Sequence, residues 1–357
     1  RQRQMCIRDS LLRLAGHVID SKASNALFSL ASRLLYVDAV RIPVVRILDR
    51  WLRREVQPTA RTDTNWDTIN RQRRLIFRAA LQSVDRVIDK GMLSPRVARV
   101  IVELWGRALY GSLTRTAAAE RFHQERGADP PWFLVLSPSH ACNLNCPGCY
   151  ANSGQGCDGA SAAVLPWSVL DRVVREAKEL WGVPLFTFSG GEPLAYRSEG
   201  NDLLDAVEKH ADCLFLMFTN GTLITREVAQ RLARLGNLTP ALSVEGLRVA
   251  TDERRGPGIF GRILEAMAHL REAGVPFGIS VTVTSANCER VLSDEFIDFF
   301  FDQQGAFYAF LFPYMPMGRA PDLSWMLTPE QRVSFWRRSW EIVQNRQIFL
   351  LDFGNHG

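Results

Sequence analysis

From residue 132 onward the chain alternates short apolar runs with helical stretches, and this alternation narrows its fold more than any other feature. The runs are 132–137, 184–188, 213–219, 239–244, 277–284 and 307–312. Helical periodicity lies between them, near 166–181, 202–211, 225–236, 260–273 and 293–304. Some runs are apolar almost throughout, as strands buried on both faces are. Six strand–helix units of this kind predict an α/β fold. They form a parallel sheet covered by helices, with the units too few for a full eight-unit barrel and suited to a partial six-unit (β/α) barrel. In such barrels chemistry gathers at the carboxyl ends of the strands.

The front of the chain has another character. Leu27, Leu30, Ala31, Leu34 and Leu35 fall at helical spacing, and residues 11–126 read as all-α. Ser94 and Pro95 form an N-cap and first-turn pair that opens a helix towards Tyr110, and Thr64 with Asp67 is a weaker capping-box echo. A helix over 41–56 gathers Arg46, Arg50, Arg53 and Arg54 on one side, opposite Val44, Leu48, Trp51 and Leu52. It reads either as a helix packed on its neighbours with a solvated arginine face, or as a membrane-surface helix. The GADPP stretch at 127–131 breaks the helical run and marks a domain boundary.

Charge divides at the same place. Residues 1–128 carry 24 Lys and Arg against 12 Asp and Glu, a net of +12; the remainder carry 19 against 26, a net of −7, giving +5 for the chain. The expected organisation is a basic helical domain over 1–128, a barrel over 129–325, and the start of a truncated C-terminal extension over 326–357. Residues 1–10 resemble a translated adapter remnant and are expected to be non-native. A strand over 348–353 followed so closely by the end at Gly357 reads as a fragment of a longer protein. Hydrophobic residues at 46% and charged residues at 23% exclude a disordered chain. No apolar run approaches the roughly eighteen residues of a membrane span, and no signal peptide opens the chain, so the cytoplasm is expected.

Three of the seven cysteines sit in one short stretch after the first strand, Cys142-Asn-Leu-Asn-Cys146-Pro-Gly-Cys149, a C-x3-C-x2-C spacing. Three thiolates in one loop suit three irons of a 4Fe–4S cluster and leave the fourth iron open to a ligand. A structural zinc site is the competing reading, with His140 or Cys157 as a fourth ligand. A plain electron-carrying Fe–S protein is a further one. Cys157, Cys213 and Cys288 read as loop or core thiols.

The second strand ends in Ser189-Gly190-Gly191-Glu192-Pro193. Together with the cysteine loop one strand earlier, this resembles the radical S-adenosylmethionine (radical SAM) enzymes. The likeness runs over about 131–320 and extends to a subgroup with a SPASM-like C-terminal extension that carries auxiliary clusters. The resemblance implies a 4Fe–4S cluster on Cys142, Cys146 and Cys149, which are at once the metal ligands and the catalytic centre. It implies S-adenosylmethionine held by Gly148, Gly190, Gly191, Glu192, Pro193, Asn220, Ser243 and Glu245, with Ser280 and Thr282 facing the adenosine and Arg254 or Arg255 facing a carboxylate. The glycines are expected to let backbone reach the cofactor's amino group. One departure is that many members place an aromatic before the third cysteine, where this chain has Gly148 and puts Tyr150 after the triad. The implied activity is reductive cleavage of S-adenosylmethionine to a 5′-deoxyadenosyl radical that abstracts hydrogen from a substrate, in peptide or cofactor maturation. The implied partners are an electron donor such as flavodoxin or ferredoxin and a peptide or cofactor precursor, with no nucleic acid.

Overall fold

The structure, a computed structural model, describes residues 30, 33–53, 64–114, 116–154 and 163–353. Among the described residues the elements open with α1 (Asp38–Arg53), α2 (Thr64–Asp89), α3 (Pro95–Thr114) and α4 (Ala117–Arg126). Then come β1 (Phe133–Leu136), α5 (Trp167–Trp181), β2 (Leu185–Phe188), a small antiparallel pair β3 (Arg197–Ser198) and β4 (Asn201–Asp202), and α6 (Leu203–Lys209). They are followed by β5 (Leu214–Thr219), α7 (Arg226–Leu235), β6 (Leu238–Val244), α8 (Arg248–Arg255), α9 (Ile259–Ala273) and β7 (Gly278–Val283). Two short helices, α10 (Cys288–Val291) and α11 (Asp294–Ile297), run into a π-helical turn at Asp298–Gln303 and then β8 (Tyr308–Pro313). The last units are α12 (Pro329–Glu341), a second π-helical turn at Ile342–Arg346, and β9 (Phe349–Asp352).

Among the described residues seven strands form one sheet in the order β1-β2-β5-β6-β7-β8-β9, with every neighbouring pair parallel. Six lie where the alternation placed them, curled into a half-barrel. The seventh, β9, pairs with β8 from Tyr308↔Phe349 to Leu311↔Asp352. This strand lies within the stretch 326–357. Successive side chains on a strand point to opposite faces. The outward faces bury Phe186, Phe188, Phe215 and Met217 beneath the helices, where Phe188 and Phe215 stack with ring centroids 5.4 Å apart. The inward faces carry Thr187, Leu216, Phe218, Ser280, Phe310 and Phe312 and line a lumen.

The basic front helices are the floor of this half-barrel. Their cations end on carbonyls in the last turns of the helices that feed the strands. Arg96 of α3 donates through Nη2 to Arg234 O of α7 at 2.8 Å. Lys90, just past α2, donates to Asp302 O at 2.6 Å in the first π-helical turn. Arg86 of α2 donates to Arg346 O at 3.2 Å in the second. Helix C-termini leave carbonyls unpaired and carry the negative end of the helix dipole, so cations belong there. The Ser94 N–H adds a bond to Gly274 O at 3.0 Å, while Ile101 and Trp105 of α3 reach the bottom of the lumen. As the sequence predicted, Ser94 caps α3, accepting from the Val97 N–H at 3.3 Å.

The α1 orientation departs from the expected amphipathic helix. Its packed face carries Arg41, Val45 and Asp49, whereas Ile42, Val44, Ile47 and Leu48 are exposed. Charge pairing decides this: Arg41, only 2% exposed, reaches Asp38, Asp85 and Asp89, and Arg78 Nε pairs with Asp49 Oδ1 at 2.5 Å. The helix therefore faces α2 with ions rather than with its apolar residues. Leu27, Ala31 and Arg54 lie outside the described residues, as do the side chains of Trp51, Leu52, Arg53, Thr64 and Asp67. Among the described residues no helix is long and apolar enough to cross a membrane.

Replacing Lys90 and Arg96 together by Met is expected to lower stability by about 1–2 kcal/mol in urea denaturation, since each cation at a helix C-terminus contributes roughly 0.3–1 kcal/mol and more when partly buried. An unchanged midpoint would show that the floor is held by packing alone.

Candidate active site

A cavity of about 660 Å³ runs through the lumen. Its lower walls are apolar and aromatic, with Phe218 meeting Phe310 and Phe312 edge to face at 5.4 and 5.3 Å and Phe312 tilted against Phe353 at 4.9 Å. Trp105 and Trp132, 6.1 Å apart, close the bottom. Polar and charged groups concentrate at the opposite rim, where the carboxyl ends of the parallel strands release the chain.

The cysteine loop leaves β1 and arches over that rim. Cys142, Cys146, Gly148 and Cys149 all line the cavity. The loop has no regular secondary structure, so other segments must pair its backbone and side chains. The Tyr150 hydroxyl meets Ser189 Oγ at 2.6 Å and accepts from the Gly190 N–H at 3.2 Å, which ties the loop to the end of β2. From beyond β8, the Arg319 N–H donates to Cys149 O at 2.9 Å and its Nη1 to Cys146 O at 3.1 Å. Among the described residues no three His, Cys, Asp or Glu side chains converge on a point where one metal ion could sit. Thiolates that bind three corners of a cluster stand further apart than ligands of one ion. Burial first, then the neighbouring Glu192, Cys146 and Cys149, push the Cys142 thiol above its usual range, against a bond from the Leu144 N–H. A bound metal reverses that balance by stabilising the thiolate.

The glycine turn after β2 lines the cavity and packs closely against the cysteine loop. A Cβ at Gly191 would stand 2.1 Å from Ala141 O, and the Gly191 N–H donates to Ser139 O at 2.8 Å. The space that a side chain would take is filled by the chain's own cysteine loop. Glu192 is buried, with Oε1 accepting from Thr219 Oγ1 at 2.7 Å and from the Leu194 N–H at 3.1 Å, and Oε2 from the Asn220 N–H at 2.8 Å. Although its residue borders the cavity, its oxygens hold the ends of β2 and β5 together. Pro193 opens a short 3-10 turn and is buried outside the cavity lining.

Asn220 passes that order on to the loop. Its Nδ2 donates to Asn143 Oδ1 at 2.9 Å and lies 3.9 Å from Cys142 Sγ. Ser243 and Ser280, on adjacent strands, bring their hydroxyls to 3.1 Å of one another on the wall. Glu245 is placed otherwise than expected. It is buried behind the wall, where Oε1 accepts from Arg254 Nη1 at 2.5 Å and Arg255 Nη2 at 2.6 Å. Both arginines line the cavity. Burial works against the Arg255 charge, but Glu245 and the nearby Cys146 and Cys142 raise it above its usual range. Arg255 Nε and Glu245 Oε2 are buried without a hydrogen-bond partner among the described residues, so the site holds polar capacity that its own side chains do not use.

The structure thus brings Cys142, Cys146, Cys149, Gly148, Gly190, Gly191, Glu192, Asn220 and Ser243 to one cavity, with Ser280 and Thr282, and sets Pro193 and Glu245 behind it. Tyr150, Asn143 and Arg319 were not singled out by the sequence as contacts of the site. Only Tyr150 carried a signal, as the aromatic beside the third cysteine. His140 uses Nδ1 towards Ala151 O at 3.1 Å, and Cys157 lies outside the described residues. Cys213 and Cys288 are buried away from the site as the sequence suggested, and burial pushes the Cys213 thiol up to about 12.

Comparison with known proteins agrees with this geometry. Residues 136–287 match the family model described as the radical SAM superfamily. The chain is 31% identical over 165 residues to the AdoMet-dependent heme synthase of Methanosarcina barkeri, covering 45% of each. It is 33% identical over 175 residues to the mycofactocin maturase MftC of Mycobacterium tuberculosis, covering 48% of this chain and 42% of that one. The chain spans about half the length of the curated relatives it matches. In fold it resembles Streptococcus suis SuiB, solved with bound S-adenosylmethionine, with a TM-score of 0.53 and 18% identity over 77% of this chain and 65% of that one. The superfamily uses a 4Fe–4S cluster and S-adenosylmethionine. The cysteine loop at the rim of the parallel half-barrel thus lies within residues 136–287, the part of the chain that matches the radical SAM superfamily.

Proposed function

We propose that this chain cleaves S-adenosylmethionine reductively and uses the resulting radical to abstract hydrogen from a peptide or cofactor precursor. The observation that carries the reading is convergence: three cysteines of one loop, the turn after β2, a serine pair and two arginines meet at one rim. Cys142, Cys146 and Cys149 would hold a 4Fe–4S cluster as thiolates. That cluster, when bound, supplies the electron that splits the sulfonium bond and yields a 5′-deoxyadenosyl radical. Arg255, held by Glu245 and with Nε unpaired, suits a carboxylate of the cofactor. The Ser243 and Ser280 hydroxyls suit its ribose. The apolar lumen beneath excludes water from a reactive centre and favours a substrate with an apolar body.

Peptide or cofactor maturation is supported by relatives named as heme synthase and mycofactocin maturase. A zinc-stapled module has no use for the unpaired Arg255 Nε, and a simple electron carrier has none for the serine pair and cavity. The reading includes a flavodoxin- or ferredoxin-like electron donor and a cytoplasmic setting. The exposed Ile42, Val44, Ile47 and Leu48 of α1, flanked by exposed Arg46 and Arg50, support contact of the front helices with a membrane surface.

After anaerobic reconstitution with iron and sulfide, the protein is expected to convert S-adenosylmethionine and a reductant to 5′-deoxyadenosine, and Cys146→Ala to form none. Product from Cys146→Ala would refute the ligand assignment. Arg255→Met is expected to weaken S-adenosylmethionine binding about 10–100-fold in equilibrium dialysis at unchanged iron content, the loss of a charge-assisted pair. An unchanged Kd would move the carboxylate elsewhere.

A further inference from the structure

Outside the groups already given a role, the most heavily engaged residue at the rim is Arg319, which follows β8 and lines neither the cavity nor a strand. Its main-chain N–H donates to Cys149 O at 2.9 Å, its Nη1 to Cys146 O at 3.1 Å, and its Nη2 to Ser153 O. One residue thus takes up three carbonyls of the cysteine loop, from a position 166 and 173 residues away from Ser153 and Cys146. The residue before it is shaped for the same approach. Gly318 has φ +78°, and a Cβ there would stand 2.2 Å from Cys149 O and 2.5 Å from Tyr150 O. Backbone is packed against backbone, with no room for a side chain.

We infer that Arg319 is a positioning residue that clamps the cysteine loop in its metal-binding shape before any metal arrives. The reasoning is geometric. An irregular loop must find partners for its carbonyls. Water would serve that need and leave the loop free to wander. A guanidinium serves it with a rigid planar fork, and the two prongs fix the separation of Cys146 from Ser153, that is, of the two ends of the segment that contains Cys149. Arg254 adds a looser grip from the α8 side, with Nε 3.3 Å from Pro147 O and Nη2 3.3 Å from Gly148 O. A lysine in place of Arg319 keeps the charge but offers a point rather than a fork, so it cannot hold both carbonyls at the same spacing. The inference rests on the reading of the three cysteines as cluster ligands, but the clamp itself needs no iron.

The test therefore has an arm without metal and an arm with it. In the metal-free protein, chymotrypsin can cut after Tyr150, which is exposed, and after Leu144. With two charge-assisted bonds to the loop gone, Arg319→Ala is expected to raise the rate of cutting there about tenfold or more. Arg226→Ala, on an exposed pair with Glu272, leaves it unchanged. On anaerobic reconstitution with limiting iron and sulfide, Arg319→Ala is expected to need about 10–100-fold more iron for half-loading, as loss of supporting partners around metal ligands does elsewhere. Arg319→Lys falls between, and ethylguanidinium added to Arg319→Ala restores part of the protection. Circular dichroism shows whether each variant folds, and Arg319→Lys carries the test should Arg319→Ala not fold. Equal cutting and equal loading of Arg319→Ala and the parent would overturn the clamp alone. Full restoration by lysine would overturn the fork as its cause. A parent protein that takes up no iron, yet whose loop is freed by Arg319→Ala, would overturn the cluster reading and leave the clamp standing.

Discussion

The rim depends on one buried carboxylate. Glu192 leaves β2 where that strand ends, and its two oxygens gather the Thr219 hydroxyl and the N–H groups of Leu194 and Asn220. Parallel neighbours diverge at their carboxyl ends, each into its own helix, so N–H groups there lose their ladder partners. A carboxylate offers about four acceptor positions and replaces several partners at once. Burial pushes the Glu192 carboxyl above its usual range, and the three donors oppose that shift. Its own N–H donates to Ala141 O at 2.8 Å, so the same residue also ties down the start of the cysteine loop. Order then passes through Asn220 to Asn143 and Cys142.

The opposite end of the half-barrel obeys a different rule. There the helices finish and the strands begin, and the groups in need are carbonyls. The front helices answer with Arg86, Lys90 and Arg96, each placed on a last-turn carbonyl. The positive balance of residues 1–128 is thus spent in part within the molecule, against helix ends that present negative dipole charge. Part of it also pairs among the front helices, where Arg41 is enclosed by three aspartates. This changes the meaning of α1: with ions turned inward, the apolar side chains that sequence periodicity would bury are the ones left facing outward.

Features set by nearby residues were legible in the sequence, and features set by distant ones were not. The strands could be read because a buried parallel strand imposes its apolar character on consecutive residues. The cysteine loop could be read because three rare side chains at short spacing have few other reasons to coincide. The Ser94 cap could be read because its bond reaches only three residues on. The orientation of α1 could not, since Asp85 and Asp89 lie more than forty residues ahead of Arg41 and only the fold brings them together. Gly191 shows the intermediate case. Its identity announced a close approach, but whether a cofactor or the chain itself was approaching depended on Ala141, on another strand's loop. Glu245 is similar: an acidic residue at the end of β6 was visible, but its inward turn follows from two arginines on α8.

The contacts that hold the cysteine loop come from different strands of one sheet. Tyr150 meets the end of β2, Asn143 the end of β5, Arg254 reaches in after β6, and Arg319 after β8. A loop held from four sides inherits its shape from the spacing of the sheet, which backbone hydrogen bonds fix and side chains do not alter. The lumen below contributes almost nothing to this ring. Its aromatic wall of Phe218, Phe310, Phe312 and Phe353 is built from inward-facing side chains that can change in size without moving a ladder bond. The rim is therefore the part of the cavity that the fold holds constant, and the lumen is the part whose side chains can vary in size without moving the rim.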